Sequence, residues 1–70
     1  MTKYAVVFEP ADDGSWSGYA IDLPGVFAAG RDRVEVEEQM REALALHRDE
    51  LRRRGETPPT PRSQTAVIAV

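Results

Sequence analysis

Few side chains in this sequence of 70 residues carry groups that react with or ligate anything. His47 is the only histidine and there is no cysteine, so thiolate ligands, His pairs and Cys–His nucleophile arrangements have no parts to be built from. A lone histidine in an apolar helical stripe is expected to be a packed residue, because base or ligand chemistry needs converging partners. Asp12, Asp13 and Asp22 stand in turns rich in Gly and Pro, where short acidic side chains bond the backbone two residues on. Contacts with a basic partner are the alternative role for these three, and Glu9 is a further carboxylate, on the first strand. Arg48, Arg52, Arg53, Arg54 and Arg62 offer a phosphate spot, but the helical ones already complement a helix C-terminus. Tyr4, Phe8, Trp16, Tyr19 and Phe27 fall on strands away from that end, so rings and cations do not interleave as a single-strand nucleic-acid platform requires. Phosphate loops, nucleophile elbows and paired His/Glu metal motifs do not occur in the sequence. No catalytic residue, cofactor or metal is expected.

The elements that position these residues are legible from periodicity. Residues 3–9 alternate Tyr4, Val6, Phe8 against Ala5, Val7, Glu9, the period-two pattern of a strand apolar on both faces. Pro10 cannot extend the ladder, and Asp12-Asp13-Gly14 is a hairpin turn. Residues 15–21 form a second strand with Trp16, Gly18 and Ala20 on one side and Ser17, Tyr19 and Ile21 on the other. Pro24 and Gly25 suit the second and third positions of a type II turn, and a short third strand follows over 26–29, closed by Gly30. Asp32 and Glu35 have capping-box spacing and open a helix that Gly55 ends. Its apolar arc is predicted to hold Val36, Met40, Ala43, Leu44, Leu46, His47 and Leu51. The Pro-rich residues 57–61 read as a stiff connector, and 65–70 (TAVIAV) as a continuous apolar strand.

These elements predict one α+β domain over residues 1–70, in the order β-β-β-α-β. The fourth strand is expected parallel beside the first, giving a four-stranded mixed sheet of order 3-2-1-4 with one helix on one face. A single helix leaves the other face bare, with Val7, Tyr19, Ile68 or their opposite-face neighbours exposed, and such patches mark association surfaces. Nine Lys plus Arg against twelve Asp plus Glu give a net charge of −3 and a pI near 5.0, which speaks against a phosphate-neutralising surface. A chain this short without disulfides gains stability from idealised packing or from self-association, so an oligomer is expected, with homodimerisation through the bare face as its commonest form. No segment has the ~18 apolar residues of a membrane span, and no apolar signal core follows the first residues, so no membrane contact and a cytoplasmic location are expected.

The predicted strand order resembles the front half of the ribonuclease H fold. Enzymes of that fold place carboxylates on the central strand, the helix and the fourth strand, and TAVIAV has none, so Glu9 alone does not carry nuclease activity. YAVVFEPADDGSWSGYAIDLPGVFAAG, the helix opening DRVEVEEQMREALALH and the proline-rich exit resemble the HicB-like antitoxin family over essentially the whole chain. The Asp22-Leu23-Pro24-Gly25 turn, Gly30 before the helix and the pair Glu42-Ala43 are the most specific pieces. The resemblance implies a partial ribonuclease H-like fold without nuclease activity, a homodimer or homotetramer, and binding to a small basic HicA-type toxin that cleaves mRNA. Full-length antitoxins of the family generally add a C-terminal DNA-binding domain; no such segment follows here, so DNA binding is not expected. An antitoxin-like binding module is thus the leading expectation, with Glu9, Trp16, Tyr19 and Asp22 as partner-facing residues. The alternative is a stand-alone oligomeric domain with an RNA-binding or degenerate nuclease-related role.

Overall fold

The computed structural model describes residues 2–70. Three strands, β1 (Val6–Pro10), β2 (Trp16–Ala20) and β3 (Phe27–Gly30), precede one helix, α1 (Arg33–Arg53). The first reversal forms as the turn chemistry dictates. Gly14 takes φ 90°, and Asp13 Oδ1 accepts from the Ser15 amide at 2.9 Å and the Ser15 hydroxyl at 2.6 Å. In the second, Gly25 has φ 87° after Pro24, and the Val26 amide donates to Leu23 O at 3.2 Å, as in a type II turn.

All pairings are antiparallel and the order is β1-β2-β3, with β2 in the centre. This corrects the expected β-β-β-α-β order and the mixed 3-2-1-4 sheet: the architecture is β-β-β-α, β1 is an edge, and residues 65–70 form no strand. Two long-range anchors account for the difference. The Tyr4 hydroxyl donates to Pro59 O at 2.6 Å, and the Asp22 carboxylate holds the amides of Arg62 and Ser63 at 2.9 Å each. Pro58, Pro59 and Pro61 stiffen the chain between them. The connector is thereby led from the side of β1 to the residues beyond the end of β2, instead of along the outer edge of β1. Without a parallel fourth strand, the basis for a partial ribonuclease H-like fold is lost.

Helix α1 starts where its cap is. Asp32 Oδ1 accepts from the Glu35 amide at 2.8 Å, while the Glu35 carboxylate reaches past the cap to the Arg31 amide at 3.1 Å and its guanidinium at 2.9 Å. The helix ends in a Schellman motif, with Gly55 at φ 73°, its amide on Arg52 O at 3.0 Å and the Glu56 amide on Leu51 O at 2.8 Å. Along the helix, Arg33–Glu37 and Glu37–Arg41 pair at 3.2 Å and Glu50–Arg54 at 3.9 Å, each four residues apart, and Arg53 also pairs with Glu50.

Val36 and Met40 are the most deeply buried side chains, in a core with Ala20, Leu23 and Val26. The helix approaches β2 closely because Gly18 has no side chain: a Cβ there would lie 3.0 Å from Val36 Cγ1 and 3.3 Å from Met40 Cγ. The buried arc is narrower than the sequence predicts, and Leu46 stays 69% exposed. Helix α1 lies mainly over β2 and β3 and meets β1 through fewer contacts, among them Arg33 Cζ 4.3 Å from the centre of the Phe8 ring.

Candidate docking face

Strand alternation assigns each side chain to one of two faces. Gly18 meets the helix, so Trp16 and Ala20 share its side, and their register partners Val6, Phe8 and Ala28 do too. The other set, Val7, Glu9, Ser17, Tyr19, Phe27 and Ala29, lies by alternation on the opposite side, and Phe27, on the edge strand β3, also borders a groove lined by Leu46 and His47 of the helix. On that open face, register makes Val7, Tyr19 and Phe27 direct neighbours across all three strands. Tyr19 is 43% exposed and Phe27 73%, so the row is an apolar ridge in solvent. Glu9, opposite Ser17, lies one row further toward the hairpin, whose Asp12 and Asp13 are also exposed. Hydrogen bonds from the Ser15 hydroxyl and amide hold the Asp13 carboxyl below its ordinary value, so this end of the face stays anionic.

Of the four residues expected to face a partner, Glu9 and Tyr19 come together on the open face. Trp16 does not join them: it is half-buried on the helix side, packed against the core. Asp22 lies beyond the end of β2, where its Oδ1 also accepts the Ser63 hydroxyl at 2.6 Å. The Ser63 hydroxyl and amide, then the Arg62 amide, keep its carboxyl below the usual range. Asp22 therefore anchors the residues after the proline segment. Phe27 was not among the expected residues, although it is the more exposed ring of the row; the signal for it was the turn at Pro24-Gly25, which sets β3 in register with Tyr19.

The remaining chemistry-bearing groups stay apart. His47 lines an open groove with Val26, Phe27, Leu46 and Glu50. Among the described residues no three His, Asp or Glu side chains gather as metal ligands. No helix of the described residues is long and apolar enough to cross a membrane.

The fold and face define a two-layer α+β unit with one sheet surface uncovered. No protein-family model matches the chain, and no curated protein matches it either, so the likeness to HicB-like antitoxins rests on the quoted motifs.

Proposed function

We propose that this chain is a non-catalytic, antitoxin-like binding module of the cytoplasm whose open sheet face docks on a small basic protein, of the kind a HicA-type mRNA-cleaving toxin represents. The observation that carries this reading is the Val7–Tyr19–Phe27 ridge, uncovered within the chain and flanked by Glu9 and the acidic hairpin. An apolar centre with a charged rim is the anatomy of a protein interface, and rim carboxylates on a chain of net charge −3 steer a basic partner. The HicB-like motifs point to the same class of partner.

The test is co-expression with a small basic protein encoded beside this chain's gene. The expected result is a stable complex and relief of any growth arrest, with the double variant Tyr19→Ser/Phe27→Ser weakening binding at least tenfold. Absence of such a neighbour, or a neighbour that neither binds nor is neutralised, overturns the reading. Salt-sensitive RNA binding by the pure chain replaces it with the nucleic-acid alternative.

A further inference from the structure

Residues 64–70 lie exposed, outside the packed core of their own chain. The last anchored residue is Ser63; beyond it, no hydrogen bond involves residues 64–70 among the described residues, Val67 and Val70 are fully exposed, and Ile68 is 79% exposed. Their protrusion shows in the dimensions of the molecule. The radius of gyration is 13.3 Å where a compact chain of this length has about 11 Å. The accessible surface is 5644 Å² where a monomer of 7.8 kDa exposes about 4,400 Å², an excess of roughly 1,200 Å². A standard interface buries ~800 Å² per partner, so the excess is enough for one.

The same chain carries an unfilled site of matching chemistry. Because α1 leans toward β3, a groove of about 310 Å³ opens between the helix and β1, lined by Tyr4, Val6, Phe8, Met40 and Leu44. Its floor borders the outer edge of β1, whose backbone groups have no strand beside them. Glu37 and Arg41 at the rim neutralise each other at 3.2 Å, so the groove offers a tight ligand no net charge. Residues 65–70 are uncharged, β-branched at Thr65, Val67, Ile68 and Val70, and contain no proline, which suits them to a strand on an apolar edge.

We propose that residues 65–70 of one copy add as a strand to the β1 edge of a second copy, reciprocally, giving a strand-exchanged two-fold dimer. Each chain's own sheet remains three-stranded; the added strand belongs to the partner copy. Alternation turns Ile68 and Val70 into the groove under the helix and Val67 toward Val7 on the open face. The occupant is a second copy and not the chain's own tail because the Tyr4 and Asp22 anchors, joined by a stiff Pro-rich segment, lead residues 62–63 away from β1. Reciprocal exchange fills both grooves and closes the assembly, leaving neither tail free. The proposal stands apart from the docking reading, since it leaves the Tyr19–Phe27 face accessible.

The test uses the full chain at submillimolar concentration. Light scattering is expected to give twice the 7.8 kDa chain mass. Ile68→Asp is expected to give a monomer with unchanged helical circular dichroism, because Ile68 is exposed and outside the core of its own chain. The absence of cysteine allows a direct check of geometry. Oxidising a mixture of Ile68→Cys and Leu44→Cys chains should link them, whereas Ile68→Cys with Phe27→Cys should not. A wild-type monomer, an Ile68→Asp dimer, or linkage at position 27 in preference to position 44 overturns the proposal. Toxin binding by the monomeric Ile68→Asp variant would separate its fate from that of the docking face.

Discussion

The two faces of the sheet are made from the same three strands, and they obey different constraints. On the helix side, size is dictated by contact: β2 can carry only Gly18 and Ala20 beneath Val36 and Met40, since even a methyl at position 18 would meet Val36 at 3.0 Å. On the open side, Ser17 and Tyr19 of that strand point away from the helix layer, and the rings of Tyr19 and Phe27 stay exposed without a packing reason inside the chain. A side chain held by contacts from its own fold answers to stability. One that is bulky without such contacts answers to something outside the chain.

The largest effect should therefore come from the helix side. Met40→Ala removes one of the two most deeply buried side chains and should cost about 2–5 kcal/mol, a large part of the ~3–10 kcal/mol available to a domain of this size. Urea denaturation reads it; a loss no greater than that of an open-face variant would break the comparison. Gly18→Val should follow at about 1–3 kcal/mol by overpacking against Val36 and Met40. Asp32→Ala, which frees the Glu35 amide at the helix start, should cost about 1 kcal/mol. On the open face, Phe27→Ser should change chain stability by no more than ~0.5 kcal/mol, because a ring 73% exposed has little burial to lose. If it destabilises as much as Gly18→Val, the ridge is part of the fold and not a docking surface.

Legibility followed the same division between local and distant causes. The Asp12-Asp13-Gly14 reversal, the Pro24-Gly25 turn and the Asp32 cap were readable because each is decided within about five residues. The boundaries of β2, β3 and α1 accordingly fell within two residues of expectation, while β1 begins three residues later than the alternation from residue 3 suggests. The fate of residues 65–70 was not readable. Their composition favours a strand, but whether they reach an edge depends on Tyr4 meeting Pro59 and Asp22 meeting Ser63, contacts 55 and 41 residues apart that leave no periodic trace. Trp16 failed to join the open face for a related reason. A period-two pattern separates two sets of side chains without saying which set meets the helix. The small residues at positions 18 and 20, on Trp16's own side, were the available sign that a helix would press there.

The smallest effect concerns the junction where the anchored body gives way to the free tail. Among the described residues, Asp22 is the only side chain that holds Arg62 and Ser63, through three hydrogen bonds that it accepts most strongly as a carboxylate. Those bonds lower its pKa in the folded chain, so the unfolded or detached form is the better proton acceptor. The anchorage is consequently complete above the ordinary carboxylate value of 3.8 and is lost as pH falls through the lowered folded value. Protection of the Arg62 and Ser63 amides, relative to their intrinsic exchange rates, should thus hold from neutral pH down to that range and fall below it. Asp13 and Glu35 carry downward shifts of the same sign, so acid alone would also loosen the hairpin and the helix start. Asp22→Asn at neutral pH isolates the junction: it should free the Arg62 and Ser63 amides while those of β2 and α1 stay protected. Protection lost across β2 as well would show that the tail anchor holds up the sheet. The contrast would then lie between anchored and free chain rather than between the two faces.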